Sequence, residues 1–193
     1  MPYKKILIGT HNKGKFKEIA YLVSNKYKKI SPSSMKIPSP RETGKTFKSN
    51  SKLKANFFSR FVKYPVISDD SGLCIKSLNN RPGIYSARLA KKHGSFLNAM
   101  KFILKKLKLK KNRSAMFVCS LTYKSSKGKI ITVEGKIKGT ISKVIIGKNG
   151  FGYDPIFIPV NKKITFGQMK KLIKIKMDHR FLAFQKLKKK IRI

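Results

Sequence analysis

This chain predicts an α/β protein with one mixed, twisted β-sheet and helices on its flanks. Two features of the sequence predict it. Short β-branched runs alternate with helix-spaced apolar residues through the first half, and strand-like runs follow one another in the middle. A third feature sets the scale. With 193 residues, 40% of them hydrophobic, the chain can bury one substantial core, and no linker-like stretch separates independent domains. The expectation is a single domain over 1–193, elongated and two-lobed, with a cleft between the lobes that collects the loops at the strand ends.

Residues 3–9 read as the first strand, an apolar run of Ile6, Leu7 and Ile8 ending in the polar turn Thr10-His11-Asn12-Lys13-Gly14-Lys15. Phe16, Ile19, Ala20 and Val23 then recur at helical spacing. A loop between a strand end and a helix start is a natural anion site, because free backbone N–H groups and the helix dipole point into it. Residues 31–40, with three prolines and four serines, form an irregular loop. A second helix over 47–62 carries Phe47, Leu53, Phe57, Phe58 and Phe61 as its apolar face. Residues 65–68 make a short strand, Asp69-Asp70-Ser71-Gly72 the turn at its end, and 73–75 a resumed extended segment. Asn79-Asn80-Arg81-Pro82-Gly83 is another turn. Phe96, Met100, Ile103, Leu104 and Leu107 mark a third helix. Residues 114–123 and 129–137 are two long strands joined by a turn. Residues 140–146 are another strand, and 156–158 a short one after the glycine-rich 147–155. Helical segments at 169–175 and 180–190 close the chain.

The formal net charge of +40 points to polyanionic partners. The lysines are spread along the whole chain rather than gathered into an arm, and Ile and Asn are abundant while Ala is scarce and Trp absent. That matches codon drift toward A and T, and it implies attraction of anionic substrates with non-specific adhesion to nucleic acid. No apolar run of 18 residues reads as a membrane span. The apolar start is too short for a secretory signal, so a cytoplasmic protein is expected, with no membrane partner. Cys74 and Cys119 form no CxxC pair and read as core thiols.

In so basic a chain the acidic residues are informative. There are 7, and a random scatter would rarely set two side by side, yet Asp69 and Asp70 are adjacent. Neighbouring carboxylates repel, so they call for a cation or strong donors, supplied by lysines or by a divalent metal. Three other loops stand out. The Thr10–Lys15 turn could hold phosphate. Gly150-Phe151-Gly152-Tyr153-Asp154-Pro155 sets an aromatic ring between two glycines that let a ligand approach the backbone. Asp178-His179-Arg180 precedes the last helix.

Taken together these segments resemble, in order and spacing, the pyrophosphatases of non-standard purine nucleoside triphosphates, the inosine/xanthosine triphosphate type. The resemblance runs over nearly the whole chain. It rests on Thr10-x-Asn12-x-x-Lys15 with Glu18, then Glu42-Thr43-Gly44-x-Thr46-Phe47-x-x-Asn50-x-x-x-Lys54-Ala55, and Asp69-Asp70-Ser71-Gly72-Leu73. It continues through Pro82-Gly83-Ile84-Tyr85-Ser86-Ala87-Arg88, residues 150–155, Lys174, and His179-Arg180 with Ala183.

The resemblance implies hydrolysis of a nucleoside triphosphate to the monophosphate and pyrophosphate, with Mg²⁺ as cofactor and a homodimer as the working form. It implies Glu42, Asp70 and Asp69 at the metal, and Asp70 as acceptor of the attacking water's proton. Thr10, His11, Asn12, Lys13, Gly14, Lys15, Lys54 and Ser71 would take the phosphates. Phe151, Gly152, Tyr153, Asp154, Lys174, His179 and Arg180 would surround the base and sugar, with Phe151 stacking on the purine. Some positions depart from the family's pattern. Ser49 stands where Glu is usual, Asp178 replaces Ser, and Gln168 and Ile173 lie where acidic residues are common. Ser49 puts in doubt a partner of the metal or of Lys54, and Asp178 adds a charge that could pair with Arg180. Three alternatives stay open: a related pyrophosphatase of the septum-associated Maf type, a basic nucleic-acid-binding protein without catalysis, and a catalytically degraded family member.

Overall fold

The computed structural model describes residues 4–191. In chain order the elements are β1 (Lys4–Gly9), α1 (Lys13–Leu22), β2 (Tyr27–Ile30), α2 (Phe47–Phe58), β3 (Val66–Ile75), β4 (Arg81–Pro82), α3 (Ser86–Lys92), α4 (Phe96–Lys106), β5 (Ser114–Lys124), β6 (Ile130–Ile141), β7 (Phe157–Pro159), α5 (Lys171–Ile175) and α6 (His179–Lys188). The strands pair in the order β2-β1-β3-β5-β6-β7, with β4 on β3. β1 runs parallel to β2 and β3, whereas β4 is antiparallel to β3 and β7 to β6. The sheet is mixed and the fold is α/β, as the element pattern predicts. Among the described residues no helix is long and apolar enough to cross a membrane.

The chain divides into two compact units, and β3, β5 and β6 each continue from one into the other. The first unit holds the chain up to Asp70, Cys119–Gly135, and the chain from Arg180 onward. Its core gathers Ile6 and Ile8 of β1, Ile19 of α1, Ile67 of β3, Leu121 of β5 and Phe184 of α6. A smaller cluster of Leu7, Ile37, Phe58 and Val66 packs under α2. These alternating β1 residues face opposite sides of the sheet, which is how one short strand serves two apolar layers. The second unit holds Ser71–Val118 and Lys136–His179. There Phe117, Phe157 and Phe166 pack ring to ring, with centroids 4.6 Å and 5.4 Å apart along the chain of contacts.

Four expectations are corrected. The segment Asp69-Asp70-Ser71-Gly72 is no turn: β3 runs unbroken through it. Gly72 is required there for close approach, since a Cβ would lie 2.2 Å from the Gly83 carbonyl oxygen and 2.5 Å from Ser86 Oγ. The second helix stops at Phe58, short of Val62. Residues 142–146 are not a strand. β6 already includes Thr140 and Ile141, and Arg113 donates to the carbonyls of Ile141 and Ser142 at 2.7 Å and 2.6 Å, occupying acceptors a ladder would use. Finally, β2 and α3 were not anticipated. β2 carries two lysines between its two apolar residues, and α3 is a short helix inside the Pro82–Arg88 motif. Tyr3, expected to open the first strand, lies outside the described residues.

Candidate active site

The continuity of β3 explains how two adjacent aspartates are tolerated. Successive strand residues point to opposite faces. Asp69 meets Lys15 of α1, with Nζ 3.1 Å from Oδ2, and Nε of Arg180 at 3.6 Å. Asp70 meets Asn50 of α2, whose amide donates to Oδ2 at 3.0 Å. Both carboxylates are buried, Asp69 fully and Asp70 to 3% exposure. Arg180 is also paired with Glu18 of α1, so α1, β3 and α6 are joined by one ionic network.

The remaining phosphate-site candidates, Ser71 apart, lie in the same unit. Thr10, at the end of β1, accepts the Asn12 N–H on its hydroxyl at 3.2 Å. Asn12 caps α1, its side chain accepting the Lys15 N–H at 3.0 Å. The helix therefore starts two residues before Lys15, and Lys13 and Gly14 sit in its first turn. His11 reaches the Ile37 carbonyl at 2.9 Å. Lys54, 6% exposed on α2, lies 2.8 Å from Glu42. Lys54 and Asn50 are four residues apart and share one helix face. Ser71 follows Asp70 in β3, half-buried, as the first residue of the second unit.

These contacts push the two aspartates in opposite directions. Burial alone would raise the Asp69 carboxyl, but Lys15, Lys54 and Arg180 outweigh it and hold it well below the usual carboxylate range. Burial raises the Asp70 carboxyl as well, and there it prevails with help from Glu42 against Lys15, Lys54 and the Asn50 hydrogen bond. Lys54 moves up: burial would lower it, yet Asp69, Glu42 and Asp70 prevail. One carboxylate is thus locked as an anion, and its neighbour is poised nearer to protonation.

A divalent cation suits this arrangement. Among the described residues no three His, Cys, Asp or Glu side chains form a closed metal cage. Mg²⁺ does not ask for one, since it is commonly held by one or two carboxylates with waters and substrate phosphates. Asp70, whose charge is opposed by burial and by Glu42, is the carboxylate such a cation would stabilise.

The second unit builds a different group. Gly150 has φ +74°, and a Cβ there would lie 2.1 Å from Asp154 Oδ2. That turn lets the Phe151 N–H donate to the same Oδ2 at 2.9 Å, while Lys174 Nζ sits 2.8 Å from it. The Lys174 ammonium also lies 4.7 Å from the centre of the Phe151 ring and 5.6 Å from that of Phe166. Gly152 has φ +66°, another position suited to glycine.

Some candidate side chains are engaged elsewhere than the resemblance suggests. Tyr153 is 2% exposed, its ring meets Phe96 edge-on at 5.3 Å, and its hydroxyl donates to the Ser86 carbonyl at 2.8 Å. Its side chain packs inward, and only its backbone remains for a ligand. His179 stacks on Phe117, with centroids 4.8 Å apart and planes at 11°. Arg180, expected at the base, has its ion pairs on Glu18 and Asp69. Asp178, foreseen as a possible partner of Arg180, lies 3.7 Å from Lys174. Ser49 touches neither Lys54 nor a carboxylate in these contacts; it completes the N-cap of α2 with Thr46. Sequence reasoning left Asn50 and Glu18 without roles, although both lie in the motifs. The legible signal for Asn50 was its placement one helical turn before Lys54.

The Ham1 family model matches residues 6–190. A dITP/XTP pyrophosphatase of Caulobacter vibrioides is 39% identical over 186 residues, covering 95% of this chain and 96% of its own. One from Borrelia duttonii is 41% identical over 195 residues, covering 96% of each. The solved Staphylococcus aureus Ham1 protein superposes with a TM-score of 0.85 at 34% identity, over 96% of this chain and 97% of that one. A match of this length, with the motif residues standing on the same continuous fold, settles descent: the chain belongs to the Ham1 family.

Proposed function

We propose that this protein hydrolyses the non-standard purine nucleoside triphosphates ITP, dITP and XTP to the monophosphate and pyrophosphate, keeping them out of DNA and RNA. The observation that carries this reading is the division of labour between Asp69 and Asp70. Asp69 is held as an anion by Lys15 and Arg180, whereas burial raises Asp70, which Asn50 holds by a hydrogen bond.

The triphosphate is a dense polyanion. Thr10, the amides opening α1, Lys15 and Lys54 neutralise and orient it. Glu42 and Asp70 are the residues that would hold Mg²⁺, while Asp69, expected at the metal from the resemblance, points to the other face of β3 and anchors Lys15 and Arg180. When bound, this ion supplies charge neutralisation at the phosphate oxygens and lowers the pKa of nearby water. Asp70 accepts a proton from the water that attacks the α-phosphorus. The bond from that phosphorus to its bridging oxygen breaks, and the electron pair leaves on pyrophosphate, whose charge Lys15 and Lys54 offset.

The base is taken by Phe151 and its neighbours. Lys174 lies over the ring, 4.7 Å from its centre, and adds positive charge beside the aromatic surface offered to the purine. Lys174 beside Asp154 pairs a donor with an acceptor. Hypoxanthine offers O6 beside N1–H, which complements that pair, whereas adenine offers the reverse. The resemblance further supports a homodimer working in the cytoplasm. The net charge of +40 favours adhesion to nucleic acid as a side effect. A role confined to nucleic acid would leave the buried Asp69 and Asp70 contacts without a purpose.

The test is pyrophosphate release from ITP, ATP and GTP, with Mg²⁺ and then with EDTA, by wild type and Asp70→Asn. Metal-dependent release from ITP well above the other two, lost in a cooperatively folding Asp70→Asn, is expected. Release that survives Asp70→Asn removes Asp70 as the proton acceptor. No release from any triphosphate by folded wild type removes the enzyme reading.

A further inference from the structure

Of the 47 basic residues only 7 are arginine, yet two of those arginines stand in one small groove. A concavity of about 430 Å³ on the second unit is lined by Arg81 of β4, Tyr85 before α3, Arg88 and Lys92 within α3, and Phe102 of α4. Phe102 also lines a second concavity, of about 520 Å³, with Lys105, Lys106, Leu109 and Lys110, so the two join into one groove. None of the 7 acidic residues lines either part. Each part holds a ring with a cation on it. The Arg88 guanidinium carbon lies 5.1 Å from the centre of Tyr85, and the Lys106 ammonium 5.7 Å from that of Phe102. Tyr85 is 52% exposed and Leu109 92%. A solvated charge is served by lysine throughout this chain. Arginine is the better residue where a flat, forked cation lies against a ring or a phosphate.

We infer that this groove binds single-stranded nucleic acid, DNA and RNA alike, laying bases on Tyr85 and Phe102 and phosphates on Arg81, Lys92, Lys105 and Lys110. Unpaired bases of any sequence offer a face that stacks on an aromatic ring, and the backbone between them follows a cationic track. A duplex keeps its base faces stacked within itself and can use only the cations. A flat bilayer surface does not enter a concavity, and a second copy, itself at +40, is repelled by the same field. The rings and cations act on bases and phosphates, which DNA and RNA share, so the sugar is not read. Such a track differs from the diffuse adhesion that net charge alone produces, which takes no account of uncharged side chains. It uses none of the residues proposed to take the triphosphate, so it stands or falls apart from hydrolysis.

The experiment is fluorescence anisotropy with labelled oligo-dT and oligo-U of about 15 nucleotides and a DNA duplex of the same length, over a series of salt concentrations. Tyr85→Ala and Phe102→Leu remove a stacking surface without changing the charge, and thermal melts confirm that both fold. Tyr85→Ala should weaken oligo-dT and oligo-U by roughly tenfold and leave the duplex unchanged, and Phe102→Leu should act in the same direction. A triple variant, Lys105→Ala with Lys106→Ala and Lys110→Ala, is set against Lys127→Ala with Lys129→Ala and Lys189→Ala, which removes equal charge from exposed positions of the first unit. The groove triple should lose more single-strand affinity and show the shallower salt dependence. Single-strand binding unmoved by both ring variants overturns the inference, and so do equal losses for strand and duplex. Two triple variants that behave alike reduce the binding to adhesion by net charge and overturn it too. Sedimentation without nucleic acid adds a last arm: a wild-type dimer that Tyr85→Ala dissociates would give the groove to a second copy and overturn the inference.

Discussion

Asn50 donates its side-chain amide to Oδ2 of Asp70 at 3.0 Å, and its own amide oxygen accepts the Gly44 N–H at 2.7 Å. The second bond decides which way the amide faces. With its oxygen engaged by a donor, its NH₂ must point to the carboxylate. One fully buried side chain thus ties the loop carrying Glu42 to the strand carrying Asp70.

That tie makes a kinetic prediction. Asn50→Asp keeps the shape but sets a carboxylate against Asp70, and Asn50→Ala removes the bond. Both should lower kcat by roughly 10- to 100-fold, the usual effect of losing a partner that orients a ligand or base. KM for the triphosphate should move less, because Lys15 and Lys54 are untouched. Steady-state kinetics on variants that still unfold cooperatively would check it, and an unchanged kcat would relieve Asn50 of any part in catalysis.

Asp69 makes a prediction about acid stability. Its folded pKa lies below the ordinary 3.8 because Lys15, Lys54 and Arg180 outweigh burial. A carboxyl lowered on folding stabilises the native state above its unfolded pKa, and that contribution is lost progressively as pH falls from there through its lower folded pKa. Asp69→Asn leaves Lys15 and Arg180 without that anion and should cost about 3–5 kcal/mol at neutral pH, the range for breaking a buried pair. Thermal midpoints of wild type and variant should lie furthest apart near neutrality and converge below about pH 4. A gap of constant size down to strong acid would show that the lost contacts, not the charge, set the difference.

Much of this was legible in the residues, and the misses share a cause. The strand-to-helix start at Ile6 through Phe16 could be read because periodicity changes there from two to 3.6. The pairing of Asp69 with Asp70 could be noticed because acids are scarce. Their separation on opposite faces of β3 could not. Gly72 reads as a turn locally, and only the approach of Gly83 and Ser86 shows that a glycine is needed within a straight strand. Arg180 was drawn to the base by motif position, whereas its ion pair with Glu18 spans 162 residues, a separation no local pattern reveals. The resemblance sets Tyr153 around the base, whereas its hydroxyl is anchored on the carbonyl of Ser86, 67 residues earlier.

Gly150→Ala should damage the second unit's loop. Its φ of +74° is left-handed, and a Cβ would stand 2.1 Å from the oxygen that holds both Phe151 N–H and Lys174. Such strain costs about 1–3 kcal/mol. The loop should yield before the core does, because the Phe117, Phe157 and Phe166 rings contact one another directly. The expected result is a raised KM for ITP with a smaller change in kcat, read in steady-state kinetics, and a thermal midpoint lowered only modestly. A KM equal to wild type would mean that this turn does not shape the base site.

Ser49 links local helix chemistry to catalysis. Thr46 Oγ1 accepts the Ser49 N–H at 3.0 Å, and Ser49 Oγ accepts the Thr46 N–H at 3.0 Å, a reciprocal cap on α2. Removing either hydroxyl should cost about 1 kcal/mol. Because α2 carries Asn50 in its first turn and Lys54 one turn later, fraying there loosens the grip on Asp70 and Glu42. Thr46→Ala should therefore lower kcat as well as the thermal midpoint. Ser49→Glu restores the commoner form of the box and adds a favourable charge at the helix start. It should match or exceed wild type in thermal midpoint and retain kcat. A Ser49→Glu that melts as early as Ser49→Ala would show that the hydroxyl itself, and not an acceptor at the third helical position, is what α2 requires.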